Sequence, residues 1–186
     1  MLQIVIQGRG GQGAQTAGNL LAAAHFAAGR QVQCFASYGG ARRGTPVSSF
    51  LRVDDRPVRL RCDIERADAI LCFDASLLAG PLLGCADART LVVVNSARPA
   101  SEFAHELPGR HVIPVDGLAI ARRHGLGRIV NSALLGGLAC AVGAPSLAVL
   151  QATLNERSPK LRDENLAACE AGWQAVDAQL REEAPR

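Results

Sequence analysis

The sequence predicts an α/β fold, a single Rossmann-like domain in which a mostly parallel sheet is flanked by helices. Three observations point there. The apolar run Leu2 to Ile6 leads through Gly8-x-Gly10-x-x-Gly13 into a segment with small and apolar residues at helical spacing (Ala14, Ala17, Leu21, Ala24, Ala28), the pattern of strand, tight turn and helix. Three more apolar runs, "ADAILCFD" (67–74), "TLVVVN" (90–95) and "HVIPVD" (111–116), read as buried strands of a parallel sheet. The composition is 48% hydrophobic with only 4% aromatic, so the core is built from Ala, Leu, Val and Ile. A length of 186 residues suits one domain (1–186) and is short for two.

The remaining elements follow in order. "QVQCFA" (31–36) reads as a second strand and runs into "SYGGARRGTP" (37–46), a loop broken by Gly39, Gly40, Gly44 and Pro46. "VSSFLRV", the acidic turn Asp54-Asp55 and "RPVRLR" read as a β-hairpin insertion near 47–61; its second arm alternates Val58 and Leu60 with Arg59 and Arg61. Helices are expected at about 76–84, 117–125, 130–142, 146–156 and 160–181. Pro145 and Ser146 mark the start of the fourth, and Asn131 reads as the N-cap of the third. The last is amphipathic, with Leu161, Asn165, Ala168, Gly172, Val176 and Leu180 along one face.

The glycine loop sets the functional question. Glycines there permit positive φ and let a phosphate approach bare backbone, and the helix N-terminus adds free N–H groups and a positive dipole end. The same spacing also serves a purely structural strand-to-helix turn. NAD binding asks for an acidic residue about 20 positions on. No Asp or Glu occurs from Met1 through Val53, whereas Arg9, Arg30, Arg42, Arg43 and Arg52 do. A phosphate-bearing ligand such as NADP or coenzyme A survives that test. Asp74, Asn95 and Asp116 fall at the carboxyl ends of predicted strands, where they serve either a ligand or the cap of the next helix.

Other chemistries lack their residues. There is no G-x-S-x-G elbow, no H-E-x-x-H and no phosphate-loop lysine, Lys160 being the only lysine. The six cysteines (34, 62, 72, 85, 140, 169) include no C-x-x-C pair, which argues against a metal or cluster held by this chain. A net charge of +3 without basic-aromatic clusters gives no sign of nucleic acid. No long uncharged apolar run suggests a membrane span, and no basic n-region precedes the first apolar run, so a cytoplasmic location is expected. An anion-friendly α/β domain without its own catalytic set suggests a subunit.

The blocks "GRGGQGAQTA" (8–17), "FASYGGARRGTPV" (35–47), "RVDDRPVRL" (52–60), "ADAILCFDASLL" (67–78), "VVVNSA" (92–97) and "RIVNSALLGGLA" (128–139), in this order, resemble the gamma subunit of 2-oxoacid:acceptor oxidoreductases of the pyruvate:ferredoxin type. The resemblance implies a complex that oxidatively decarboxylates a 2-oxoacid, pyruvate or an aromatic one such as phenylglyoxylate, to acyl-CoA and CO2. It implies alpha, beta and ferredoxin-like delta subunits holding thiamine pyrophosphate, magnesium and 4Fe–4S clusters, and an external acceptor, ferredoxin or NAD through a further subunit. This chain would contact coenzyme A through Gly8, Arg9, Gly10, Gly11, Gln12, Gly13 and Thr16. Ser37, Tyr38, Arg42 and Arg43 would lie on the adjoining loop, and Asn95 completes the cofactor-binding set. No residue of this chain is expected to be catalytic or to bind metal. A free-standing NADP-binding reductase and a purely structural subunit are the alternatives.

Overall fold

A computed structural model of the chain describes residues 1–39, 44–78, 81–158 and 160–183. Strand β1 (Leu2–Arg9) leads through the glycine turn into helix α1 (Ala14–Ala27). Strands β2 (Gln31–Tyr38), β3 (Pro46–Asp54) and β4 (Ala69–Cys72) follow, then α2 (Pro81–Gly84), β5 (Leu91–Asn95), α3 (Ala100–Glu106) and β6 (His111–Val115). Four helices close the chain: α4 (Gly117–Arg123), α5 (Asn131–Val142), α6 (Leu147–Arg157) and α7 (Arg162–Glu183). The strands form one six-stranded sheet in the order β2-β3-β1-β4-β5-β6. Neighbours from β1 to β6 pair in parallel, while β3 is antiparallel to both β1 and β2. The sheet is therefore mostly parallel, as expected, with β3 running against the rest.

Two sequence expectations are corrected, and one helix was not expected. The strand from residue 47 exists, but its hairpin partner is β2; residues 56–61 form no strand. The reason is a competition for edges: β1 and β2 occupy both sides of β3 along its length, leaving the second arm no ladder to join. The helix expected at about 76–84 is instead a 3-10 turn at Ala75–Leu77 and the single turn α2. Leu78, which closes the 3-10 turn, takes φ −72° and ψ 61°, outside the helical region, so one continuous helix cannot pass through it. Helix α3, which the periodicity did not announce, starts after Pro99 and anchors itself with the buried Phe103.

Strand alternation sorts the core into two layers. Ile4, Ile6, Leu71 and Val93 face α1, α5 and α7, whereas Val5, Ile70, Val92 and Val94 face Leu82 and Phe103. Each fully buried Ile, Leu or Phe contributes roughly 1.5–3 kcal/mol. Helix α5 is apolar almost all round because it is sandwiched between sheet and α7. Their crossing is close: a Cβ on Gly136 would strike the carbonyl of Cys169, and one on Gly172 the carbonyl of Ala133. Among the described residues no helix is long and apolar enough to cross a membrane.

Candidate functional site

The glycine turn is held by its own atoms. The Gly10 amide donates to Thr45 O at 2.9 Å, the Gln12 amide to Arg9 O at 2.9 Å, and the Gln12 side-chain oxygen accepts from the Arg9 amide at 2.7 Å. Gly11 and Gly13 take φ of 96° and 93°, which side-chain-bearing residues rarely adopt. At Gly13 space is denied as well, since a Cβ there would lie 2.6 Å from Asn131 Nδ2. The first intrahelical bond of α1 is Ala17 N–H to Gly13 O. The amides of Gly11, Gly13, Ala14, Gln15 and Thr16 consequently donate to no described residue, and no side chain caps the helix.

Of these donors, Gly11 and Gly13 line a cleft of about 860 Å³, formed by Gly10 to Gly13, Phe73 and Asn95 on one side and by Leu118, Arg122 and Arg128 through Asn131 on the other. It lies at the carboxyl ends of β1, β4 and β5, beside the point where the chain, having placed β2 and β3 on one side of β1, crosses to β4 on the other. That is where open α/β sheets bind ligands. Asn95 braces the floor: its amide donates to Phe73 O at 3.1 Å and its oxygen accepts from Gly117 N–H at 3.1 Å. Asn131 is the first residue of α5 and not its cap; the backbone of Val130 takes that position, and Asn131 donates to Gly13 O at 3.3 Å, tying α5 to the glycine turn.

Charge is distributed unevenly around the cleft. The Arg9 guanidinium is committed to the protein, with Nε 2.8 Å from Asp74 Oδ2 and further bonds to Ser76 Oγ at 2.9 Å and Gly44 O at 3.2 Å. Burial alone would raise the Asp74 pKa, but the Ser76 hydroxyl and Arg9 outweigh it and hold the carboxyl below its usual range. Asp74 is thus an ionised cap and not a proton acceptor. Asp116 likewise caps α4, accepting from the Ala119 amide at 2.8 Å. Cys72, buried under the site, has its thiol pushed up to about 12, so it is no nucleophile at neutral pH. Arg122 and Arg128 make no ion pair or side-chain hydrogen bond among the described residues. Among the described residues the arrangement offers backbone donors on one wall and guanidinium groups without an ion-pair partner on the other.

Residues 3–175 match the family model of pyruvate ferredoxin/flavodoxin oxidoreductase. The chain belongs to this family. It is similar to the pyruvate/ketoisovalerate oxidoreductases common subunit gamma of Thermococcus kodakarensis, 38% identical over 93% of this chain and 96% of that one. The pyruvate synthase subunit PorC of Methanocaldococcus jannaschii is 35% identical over 93% of this chain and 96% of its own length. Among solved structures, pyruvate oxidoreductase subunit PORC from Thermotoga maritima superposes with a TM-score of 0.80 at 29% identity, covering 93% of this chain and 95% of that one. A 2-oxoglutarate:ferredoxin oxidoreductase from Magnetococcus marinus, determined with 2-oxoglutarate, coenzyme A and succinyl-CoA bound, shares the fold at TM-score 0.73 and 20% identity; the match covers 95% of this chain and 31% of that one. This chain is a gamma-type subunit of a 2-oxoacid oxidoreductase.

Within this gamma subunit the sequence-derived residues divide into groups. Gly10, Gly11, Gln12, Gly13 and Asn95 line the cleft, and Thr16 stands on the first turn of α1 beside it. Gly8 is buried behind the turn, where a Cβ would press on Phe73 at 3.1 Å, and Arg9 is turned toward Asp74. Ser37 and Tyr38 end β2, and the Tyr38 hydroxyl donates to the Gln15 side chain, bringing the hairpin onto α1. Arg42 and Arg43 lie outside the described residues. The opposite wall, with Leu118, Arg122, Arg128 and Ile129, escaped sequence reasoning. Its one signal is the basic stretch "ARRHGLGRIVNS", which runs from the end of α4 into the first residues of α5 and contains Asn131.

Proposed function

We propose that this gamma subunit forms one wall of the coenzyme A site in a complex that converts a 2-oxoacid, coenzyme A and an oxidised acceptor to acyl-CoA, CO2 and the reduced acceptor. The observation that carries the proposal is the pairing of the undonated amides at the α1 N-terminus with Arg122 and Arg128 across one cleft. Coenzyme A carries phosphates that both walls suit, and Leu118 and Ile129 offer apolar surface to its uncharged parts. The cleft volume of about 860 Å³ lies within the range of small-molecule sites. The bare backbone at Gly11, where a Cβ would meet nothing within 4 Å, leaves room for a phosphate to approach.

When bound, coenzyme A supplies the thiol that accepts the acyl group. The work of this chain is positional: the turn and the arginines hold the phosphate-bearing end, which fixes the reach of the thiol toward a centre outside this chain. Thiamine pyrophosphate, magnesium and 4Fe–4S clusters are assigned to alpha, beta and delta-type subunits, and the acceptor to ferredoxin or to NAD through a further subunit. Relatives named for pyruvate and ketoisovalerate favour an aliphatic 2-oxoacid, pyruvate first, over phenylglyoxylate.

In the assembled complex, Arg128→Ala removes a charge-assisted contact and is expected to raise the KM for coenzyme A about tenfold or more, as a loss of roughly 1.5–3 kcal/mol implies. CO2 release from the 2-oxoacid in the absence of coenzyme A should stay unchanged. Equal loss of both reactions would assign the cleft to structure alone, and tighter binding of NADP than of coenzyme A by the isolated chain would favour a reductase.

A further inference from the structure

The segment Arg56–Arg61, which the sequence marks as a strand and the sheet leaves out, is fixed in place at both ends. At its start Asp54 accepts from the Arg56 amide at 3.3 Å and is itself held by the N-terminal ammonium at 3.3 Å. At its end Arg52, only 2% exposed, donates to Cys62 O at 2.8 Å, Cys62 Sγ at 3.7 Å, Asp63 O at 3.2 Å and Gln3 Oε1 at 3.1 Å. A guanidinium buried without a carboxylate is costly unless its donors are satisfied. Here most of that satisfaction comes from the carbonyls that end the segment, so Arg52 holds its shape.

Between those anchors, residues 57–61 make no hydrogen bond to any described residue, and Arg56, Arg59 and Arg61 make no ion pair to one. No acidic residue lies between 56 and 62, and the two that precede are taken, Asp54 by the N-terminus and Asp55 by Arg30 at 3.2 Å. Leu60 stands 49% exposed among the arginines. A preset ridge of unpaired cations around an apolar side chain carries the chemistry of an interface core with a charged rim.

We propose that Arg56–Arg61 is a docking ridge for a carboxylate-bearing segment of another subunit of the same complex, with Leu60 as its apolar centre and Arg56, Arg59 and Arg61 as its charge complement. The partner is placed inside the complex on the reading of this chain as one subunit of several. Fixing the ridge in advance removes the ordering cost that a free loop would incur on binding.

The test uses the whole complex, purified with wild-type chain and with Arg59→Glu/Arg61→Glu. Both side chains are exposed and unpaired, so the isolated variant should keep the wild-type thermal midpoint. The variant complex should dissociate at a salt concentration about twofold lower than wild type or fail to co-purify, since surface charge pairing is screened by salt. Hydrogen exchange gives a second readout: the amides of Val58, Arg59, Leu60 and Arg61 should exchange fast in the isolated chain and slowly in the wild-type complex. Unchanged dissociation with unprotected amides overturns the proposal. So does a variant complex that assembles normally but loses turnover only with a protein acceptor and not with a dye, since the ridge would then serve an external carrier. If the wild-type chain itself co-purifies with no other subunit, the multisubunit reading fails and the ridge proposal with it.

Discussion

Gly13 meets two independent constraints, a φ of 93° and the side chain of Asn131 at 2.6 Å from where its Cβ would sit. Gly13→Ala should therefore weaken folding by about 1–3 kcal/mol, read as a lower urea midpoint. Asn131→Ala, which frees that space but leaves the φ, should recover only part of the loss in the double variant. His25 makes a different residue-scale claim. It is 2% exposed, its Nε2 has no partner among the described residues, and burial followed by the charge of Arg30 lowers its pKa from 6.5 to about 4. As pH falls the unfolded chain takes the proton first, so this contribution is complete above pH 6.5, declines from there to about pH 4, and is constant below. It amounts to at most about 3 kcal/mol, and His25→Leu should flatten the stability profile in that window. The sequence located Gly13 and Asn95 because glycine spacing and strand ends are local signals. It misplaced Asn131 as a cap because its actual partner, Gly13, is 118 positions away. Arg122 and Arg128 were illegible for the same reason: only the packing of α4 on α5, and of α5 on β4 and β5, sets them opposite the turn.

Among elements, the α5–α7 crossing rests on Gly136 and Gly172, each facing a carbonyl of the other helix. Gly136→Ala should destabilise the fold by about 3 kcal/mol, because backbone on both sides resists displacement. Gly84→Ala, where a Cβ would meet nothing within 4 Å and φ is not positive, should be close to neutral and serves as the control in the same denaturation series. The strands were legible in the sequence since short apolar runs with β-branched residues, such as "LVVVN" and "AILC", are bounded by polar residues and turns, unlike the longer Ala- and Leu-rich run of α5. The alternation at 56–61 carried the same signal as a strand, yet strand formation needs a free edge, and β3 has none to give. Helix α3 was missed because it buries only Phe103 and so offers no apolar stripe to read, whereas α4, equally long, buries Gly117, Ile120 and Ala121.

For the whole molecule, family membership, the order of the sheet and the cleft at its carboxyl end are the observations behind the proposal that this chain positions a ligand for chemistry carried out elsewhere. The fold was legible from the first 30 residues and the apolar runs, whereas half of the cleft emerged only when the sheet brought the two walls together. The central claim is that both walls hold one molecule of coenzyme A. Its most direct test is calorimetric titration of coenzyme A into the assembled complex, wild type against Arg122→Ala/Arg128→Ala, at low salt and without 2-oxoacid. Loss of two charge-assisted contacts predicts affinity weaker by roughly 100-fold or more with the subunit composition unchanged. Equal affinity in the two complexes would contradict the account and place coenzyme A somewhere other than this cleft.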